Sequence, residues 1–151
     1  LPVFLSRIKR EGYAVKLDTN GSHPRMIQEL VARRLVDYIA MDIKTDPSLY
    51  PLYMQREIDP DNIRSSIRLI MASDIPYEFR TTCVRPIVSE ETVESIGRLI
   101  QGSFLYVLQQ FSRVRVLQPD FFENRQAGYD QEEMMLLKAF AEPWVQKCIV
   151  R

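Results

Sequence analysis

The chain has 151 residues, 46% of them hydrophobic, which predicts about one domain with its own core. Lys plus Arg and Asp plus Glu number 20 each, so the net charge gives no field that would attract nucleic acid or an anionic membrane. No apolar run reaches the roughly 20 residues that span a bilayer. We therefore expect a cytoplasmic protein without a nucleic-acid or membrane partner.

The first predicted element is an amphipathic helix. Leu1, Phe4, Leu5 and Ile8 fall on one face at helical spacing, and Gly12 ends the pattern. The helical pattern is already present at Leu1, which is not an initiator Met. We therefore expect the chain to be the C-terminal part of a longer protein.

Strands and helices alternate after this helix. Period-two patterns predict five strands, at residues 13–18 and in the segments VDYIAMDIK, YEFRTTCV, FLYVLQQF and WVQKCIVR. Start signals precede the intervening helices, namely Ser22 with Pro24, Asp61, Ser89, and Asp130 with Glu133. Residues 45–59 lack periodicity and predict a loop over one end of the sheet. This order indicates right-handed parallel strand-helix-strand units.

The faces of the predicted strands distinguish two α/β architectures. Alternation places six charged side chains on one side of the first three strands, namely Lys16, Asp18, Asp42, Lys44, Glu78 and Arg80. A doubly wound sheet is covered by helices on both faces and would show apolar runs instead. We therefore predict a (β/α) barrel, complete or incomplete, with helices outside and a polar interior.

The motif Asp18-Thr19-Asn20-Gly21 lies where the first strand ends. Barrels place their ligand sites at the carboxyl ends of parallel strands, which makes Asp18 a candidate for binding a hydroxyl group or a cation. The alternative is structural, since Asn-Gly is a strong turn former and Asp can hold neighbouring amide groups. The motif alone leaves both interpretations open.

Charged side chains also mark the next two strands. Asp42 and Lys44 lie on the same side, roughly 7 Å apart along the second strand. They could form an internal ion pair, although desolvating such a pair gains little stability. Arg80 lies in the middle of the third strand, where a guanidinium needs a carboxylate, a carbonyl or a bound anion. Glu78 is one candidate partner.

Other polar residues carry weaker signals. Gln109 and Gln110 end the fourth strand and could contact a base edge or a ribose, or simply face solvent. His23 is interpreted as a solvated neighbour of a helix cap. The remaining candidates are given structural roles: Cys83 and Cys148 as buried, unpaired small hydrophobes, Trp144, Met134 and Met135 as core, and Arg113, Arg115 and Arg125 as surface.

Four motifs in order carry a family resemblance. KLDTNGS, LVDYIAMDIK after one helix, then YEFRTT and YVLQQF resemble the radical S-adenosylmethionine (SAM) proteins that activate anaerobic ribonucleotide reductase. Pyruvate formate-lyase activases are similar but more distant. The match covers nearly the whole chain. It implies an incomplete (β/α) barrel of the radical SAM type in which residues 1–151 form the C-terminal part of a single domain and the N-terminal strands are missing.

The resemblance also implies site residues. Those matching positions near SAM are Asp18, Asn20, Asp42, Lys44, Arg80, Gln109 and Gln110. A monovalent cation in related activases would use Asp18, Thr19, the Ala40 carbonyl and Asp42. In the pyruvate formate-lyase type a histidine follows the fourth strand, whereas this chain has Phe111. A histidine contact to the cofactor therefore does not carry over.

The C-x-x-x-C-x-x-C loop of the family is absent from this sequence. In the complete enzyme its thiolates hold a [4Fe–4S] cluster, and Cys83 and Cys148 cannot replace them. The resemblance therefore implies an anaerobic parent enzyme that uses SAM, a cluster and an electron donor to form a glycyl radical on a partner. That partner is anaerobic ribonucleotide reductase or an enzyme of the pyruvate formate-lyase type. We expect no cluster, no catalytic residue and no activity in this chain alone.

Two other functions compete with this one. The run D-I-K-T-D at the end of the second strand is similar to the charged strand end of sugar-phosphate or nucleotide-binding (β/α) barrel enzymes, although its spacing is one residue short. No glycine-rich phosphate loop follows the last strands. The other alternative is a non-catalytic α/β interaction domain. An incomplete barrel exposes a sheet edge, through which we expect self-association.

Overall fold

A computed structural model describes residues 1–54, 58–112 and 127–151. The helices in these ranges are α1 (Pro2–Arg10), α2 (Pro24–Ala32), α3 (Tyr50–Tyr53), α4 (Pro60–Met71), α5 (Glu90–Leu99) and α6 (Gln131–Ala141). The strands are β1 (Lys16–Thr19), β2 (Tyr38–Asp42), β3 (Tyr77–Cys83), β4 (Tyr106–Gln110) and β5 (Cys148–Val150). Short 3-10 turns cover Pro47–Leu49 and Glu142–Trp144. Each predicted strand is therefore present. β1 is shorter than predicted and ends one residue later, at Thr19, and the other four strands lie within their predicted segments.

The strands form one sheet in the order β1-β2-β3-β4-β5. β1 pairs with β2 in parallel, with Lys16 opposite Tyr38, and β4 pairs with β5 in parallel, with Tyr106 opposite Cys148. A doubly wound sheet reverses its strand order at a switch point, whereas barrel strands follow one another in sequence order. The observed order is that of a barrel segment, and the prediction of an α/β fold with helices between successive strands is confirmed.

The described residues divide into two compact units. The first comprises residues 1–43 and 47–79, and the second comprises residues 44–46 and 80–151. β3 contributes its first three residues to the first unit and the others to the second. That residues 1–151 are part of one larger domain stays a prediction.

The core of the first unit lies between its strands and helices α2 and α4. Both helices present apolar residues at helical spacing, as the sequence predicts. The fully or almost fully buried side chains are Ile27 and Leu30 of α2, Ile39 and Met41 of β2, Ile63, Ile67 and Ile70 of α4, and Phe79 of β3. Burying one such side chain contributes about 1.5–3 kcal/mol. This packing fixes the ends of β1 and β2.

The core of the second unit is formed by β4, α5 and α6. Its buried side chains are Val93, Ile96, Tyr106, Val107, Leu108, Met134, Leu137 and Ala141. Ser89 caps α5, and the predicted capping box of α6 is present, with Asp130 and Glu133 exchanging hydrogen bonds with each other's backbone. Trp144 packs against Gly97, where a Cβ would lie 2.8 Å from the ring. Met135 is 51% exposed, so its predicted core position is wrong.

Both cysteines are buried and unpaired, as predicted. Burial raises the pKa of the Cys83 thiol to about 12, and the pKa of the Cys148 thiol to about 12 as well. Cys83 donates a weak hydrogen bond to the Thr81 carbonyl, with an S···O distance of 3.8 Å. At neutral pH both side chains are therefore protonated and behave as small apolar groups.

Three predictions about the N-terminal half need correction. In α1 only Leu5 is buried, while Leu1 and Phe4 are 58% and 61% exposed, so the predicted apolar face is not covered along its length. The cap of α4 is Asp59, whose side chain accepts from the amide of Asp61, because Pro60 occupies the first helical position. The predicted loop 45–59 contains a 3-10 turn and the short α3.

In the part of the chain that the structure describes, no helix has both the length and the apolar character needed to cross a membrane. Arg113, Arg115 and Arg125, which the sequence assigns to the surface, lie outside the described residues.

Candidate functional site

The turn after β1, residues 18–22, is held by its own side chains. The Gly21 amide donates to Thr19 Oγ1 at 3.1 Å. The Ser22 amide and hydroxyl both donate to Asn20 Oδ1, at 3.0 and 2.7 Å. This is an Asx turn, as Asn-Gly predicts. These two bonds occupy Oδ1 and set the orientation of the carboxamide, whose Nδ2 group is the side chain's donor.

Gly21 is fixed by packing as well as by backbone conformation. Its φ angle is +75°, in the left-handed region that glycine favours. A Cβ added here would lie 2.1 Å from Met41 Cε and 3.4 Å from Ser66 Cβ. The Ser66 hydroxyl of α4 donates to the Gly21 carbonyl at 2.7 Å. The turn is thus packed between β2 and α4.

Asp18 and Asp42 lie on the same face of the β1–β2 pair. Asp18 is opposite Ala40, and Asp42 follows Ala40 by two residues, so alternation directs both carboxylates to one side. Asp18 is exposed and Asp42 half-buried. Thr19 points to the other face, and its hydroxyl accepts from the turn. The cation set that the resemblance implies stays a prediction, and no group of three His, Cys, Asp or Glu side chains suited to a metal occurs among the described residues.

The same face carries a polar cluster at the start of the strands. Glu78 is buried, and its carboxylate lies 3.6 Å from Lys16 Nζ and accepts from the Tyr38 hydroxyl at 3.3 Å. Lys16 Nζ also lies 5.4 Å from the centroid of the Tyr38 ring. The predicted polar face is therefore present in the first unit. Glu78 thus contacts Lys16 and Tyr38, and the sequence did not indicate the role of Tyr38. A pairing of Glu78 with Arg80 stays a prediction.

In the second unit, the segment after Lys44 is anchored to its surroundings. The buried Thr45 hydroxyl donates to the Ile87 carbonyl at 3.1 Å, and the Ser95 hydroxyl of α5 donates to the Asp46 carboxylate. Lys44 is half-buried. Its backbone position is fixed through the two residues that follow it.

In the second unit, the two candidate glutamines lie on opposite faces of the sheet. Thr81 is buried and accepts from the Tyr106 hydroxyl at 2.8 Å, so these side chains share one face of the sheet. Alternation then places Arg80 and Gln109 on the opposite face. Gln110 lies on the Tyr106 side, and its amide donates to the Tyr129 carbonyl at 2.8 Å. Gln109 is thus the glutamine that shares a face with Arg80.

A cluster around Arg85 was not predicted from the sequence. Its guanidinium donates to the Gly128 carbonyl and to the Glu133 carboxylate, each at 2.8 Å, and lies 3.8 Å from the centroid of the Tyr129 ring. The Tyr129 hydroxyl donates to the Val88 carbonyl at 2.6 Å. These contacts fix residues 127–133 beside the ends of β3 and β4. No local pattern marks them, because the partners are more than 40 residues apart.

Charge effects in this cluster follow from the contacts. The hydrogen bond to Glu133 raises the pKa of Arg85. The Asp130 amide, and then Arg85, lower the pKa of Glu133 below its ordinary value. Burial raises the pKa of Tyr129. All three groups therefore keep their usual neutral-pH charge states, and the cluster acts as an ion pair with a stacked ring.

A cleft of about 920 Å³ opens beside the turn in the first unit. Its lining residues are Asn20, Ser22, His23, Pro51, Ile58, Asp59, Pro60 and Asn62. The volume is within the range of small-molecule sites. His23 is exposed, but it is itself the N-cap residue of α2 and not a neighbour of the cap as predicted, and its side chain makes no cap bond. It also lines the cleft.

The described residues do not fit an iron–sulfur cluster. Such a cluster needs thiolates, and the two cysteines are buried thiols with pKa values raised to about 12. By contrast, Asp18, Asp42 and the Nδ2 amide of Asn20 offer acceptors and a donor of the kind that bind an amino acid's ammonium and carboxylate groups.

Comparisons with known proteins identify relatives of this chain and of its fold. No protein-family model matches the sequence. Over 147 residues, 95% of the chain, it is 29% identical to an inferred glycyl-radical enzyme activating enzyme of Methanocaldococcus jannaschii. The chain spans 60% of the length of that protein.

The structure is similar to the crystal structure of a domain of pyruvate-formate lyase-activating enzyme from Bacteroides vulgatus. The TM-score is 0.77 at 14% identity, and the match covers 100% of this chain and 89% of that one. At this identity the likeness shows the fold alone. It confirms the predicted fold class, an α/β partial barrel.

Proposed function

We propose that this chain is part of a radical SAM activase, an oxidoreductase that generates a glycyl radical on a partner enzyme. The observation that carries the proposal is the similarity to an activating enzyme over 95% of the chain, on a partial barrel with a TM-score of 0.77 to an activase domain. The motifs favour anaerobic ribonucleotide reductase as the partner over an enzyme of the pyruvate formate-lyase type. The proposal includes an anaerobic, cytoplasmic setting and a reducing electron donor.

The first unit would bind the amino acid portion of SAM. We assign the ammonium group to the carboxylates of Asp18 and Asp42, which share a face at the strand ends. The carboxylate group would accept from Asn20 Nδ2, whose orientation is set by the two bonds to Oδ1. Charge-assisted hydrogen bonds of this kind are short and directional. These residues thus bind and orient the cofactor.

The family resemblance also assigns Lys44, Arg80 and Gln109 to SAM binding, and the proposal keeps them. The two cations suit the carboxylate of SAM, and the carboxamide of Gln109 suits the edge of its adenine or the ribose. Gln110 is assigned a structural role because its amide is already bonded to the Tyr129 carbonyl. The proposal therefore keeps one of the two glutamines.

In the parent enzyme, a [4Fe–4S] cluster together with SAM would supply the radical chemistry that removes a hydrogen atom from a glycine of the partner. Since Cys83 and Cys148 do not fit the cluster, its ligands would come from outside these 151 residues. We accordingly propose that this chain binds and orients SAM without cleaving it. The rest of the coding sequence is one test, since a parent protein without a C-x-x-x-C-x-x-C motif contradicts the assignment.

Calorimetric titration of SAM into the chain tests the role of Asn20. In Asn20→Asp a carboxylate oxygen still accepts from the Ser22 amide, while the Nδ2 donor is lost and a repelling charge is gained. We expect an affinity about tenfold lower than wild type, which corresponds to one lost charge-assisted hydrogen bond. Asn62→Asp, which adds the same charge on the same cleft, is the matched control and should bind as wild type. Equal affinities of wild type and Asn20→Asp would refute the assignment.

A further inference from the structure

A buried serine lies in the apolar stripe of α4. Ser66 is 0% exposed and is flanked by the buried side chains of Ile63, Ile67 and Ile70. A serine inside a helix commonly bonds to the carbonyl four residues earlier. Here the hydroxyl instead donates to the carbonyl of Gly21, 45 residues earlier in the chain, at 2.7 Å. This polar group therefore connects the helix core with the turn after β1.

The contact completes the fixation of Gly21. Its amide donates to Thr19 Oγ1 at 3.1 Å, its carbonyl accepts from Ser66, and Met41 fills the space where a side chain would stand. Both backbone polar groups of the residue next to Asn20 are thus engaged. Removing the hydroxyl would leave a carbonyl oxygen without this donor in a buried setting, which is costly.

We propose that Ser66 is a positioning residue that sets the orientation of the turn carrying Asp18 and Asn20. The Gly21 carbonyl shares a peptide plane with the Ser22 amide, which donates to Asn20 Oδ1, so the direction of the Asn20 Nδ2 amide depends on the plane that Ser66 holds. Ser66 itself does not touch the ligand. The identity of the ligand as SAM depends on the proposed function, whereas the anchoring of the turn does not.

The neighbouring serine provides a matched control. Ser65 is on the same helix, is more exposed, and its hydroxyl accepts from Arg68 at 3.2 Å on the surface. Ser65→Ala removes the same group at the adjacent position without touching the turn. If Ser66 only stabilised the helix, Ser66→Ala and Ser65→Ala would differ in melting temperature but not in the behaviour of the turn or in ligand affinity.

Two measurements on the 151-residue chain test the inference. NMR measures hydrogen exchange of the Gly21 and Ser22 amides without ligand, and calorimetry measures SAM affinity. We expect Ser66→Ala to accelerate exchange at both amides and to weaken SAM binding, each about tenfold, while Ser65→Ala matches wild type. Ser66→Cys replaces the hydroxyl with a slightly larger thiol that is a weaker donor. It should give intermediate values and provides the test if the alanine variant does not fold.

The outcomes separate this inference from the proposed function. Wild-type exchange at the turn amides in Ser66→Ala overturns the positioning role, whatever the affinity does. If wild type binds no SAM but Ser66→Ala still accelerates exchange, the anchoring stands and the proposed function fails. Accelerated exchange together with weakened binding supports both.

Discussion

Each unit fixes a segment that follows a strand, but the two use different chemistry. In the first unit, the turn at residues 18–22 is held by neutral hydrogen bonds, including the fully buried contact from Ser66 to Gly21. In the second unit, residues 127–133 are held by the ion pair between Arg85 and Glu133, whose side chains are 33% and 34% exposed. The anchor in the first unit is therefore neutral and buried, whereas the anchor in the second unit is charged and partly exposed to solvent.

The difference implies different responses to solution conditions. Salt screens a partly exposed ion pair, and acid removes it, because the carboxylate must be ionised. A buried hydroxyl–carbonyl bond has no titrating group and is not screened. We therefore expect the turn that carries Asp18 and Asn20 to keep its geometry over a range of pH and salt in which the Arg85 cluster weakens.

The largest expected effect is a loss of stability at a glycine. Two glycines with the same backbone conformation but different packing around them show its cause. Gly21 and Gly102 have φ angles of +75° and +82°, yet a Cβ meets Met41 at 2.1 Å in the first and nothing within 4 Å in the second. Gly102→Ala should cost about 1 kcal/mol of unfolding free energy from backbone strain. Gly21→Ala should cost about 3 kcal/mol, because overpacking is added.

Urea denaturation measures both glycine variants. Gly12→Ala is a further control within the first unit, since Gly12 has a φ of +83° and a Cβ added there would also contact nothing within 4 Å. It should match Gly102→Ala. Equal losses for all three variants would show that Met41 moves aside and that packing does not fix the turn.

Arg85→Met is the next largest change and breaks the charged anchor. It keeps the aliphatic stem but removes the bonds to Gly128 and Glu133 and the cation over Tyr129. We expect a loss of about 1 kcal/mol, reduced from the value for buried pairs because solvent screens the site. Arg33→Met, which breaks an exposed pair with Glu29 on α2, should cost under about 0.5 kcal/mol. If Arg85→Met lost no more unfolding free energy than Arg33→Met, the Arg85 cluster would not be an anchor of residues 127–133.

The smallest expected effect is a pH dependence of stability, measured as the difference between wild type and Glu133→Gln. The pKa of Glu133 is lowered on folding, so its ionised form contributes stability above its ordinary value of 4.5, and this is lost as pH falls through the folded value. The variant keeps an acceptor but no charge. Wild type should therefore be the more stable near neutrality, with the difference shrinking as the pH falls below 4.5.

Thermal unfolding at a series of pH values gives this difference directly. Asp37, whose pKa is lowered by Lys9 and by the Val15 amide, also titrates in acid, but it does so equally in both proteins and cancels. A constant difference across the series would mean that the charge of Glu133 plays no part.

Local patterns predicted much of the fold and part of the candidate site. Period-two alternation placed Asp18 and Asp42 on one face, and the register of β1 and β2 agrees. Asn-Gly predicted the turn, and Asp130 with Glu133 predicted the capping box of α6. Each of these depends on residues within a few positions of one another, so the physics that decides them is visible in a short window.

Contacts across the chain were not predictable in the same way. Helical spacing identified α4 but gave no reason for the hydroxyl of Ser66, because its partner Gly21 is 45 residues away. The same holds for Arg85 with Tyr129. The exposed face of α1 also contradicts its pattern, since amphipathic spacing shows which residues could be buried but not what covers them.

The sequence by itself determined the order of strands and helices, the polar face and the composition of the turn, because backbone periodicity and turn chemistry are local. Only the tertiary structure decided which glutamine shares a face with Arg80, that Glu78 pairs with Lys16, and that a helix serine fixes the turn. Those outcomes depend on register and on packing between distant segments, which fold into contact only when the core forms.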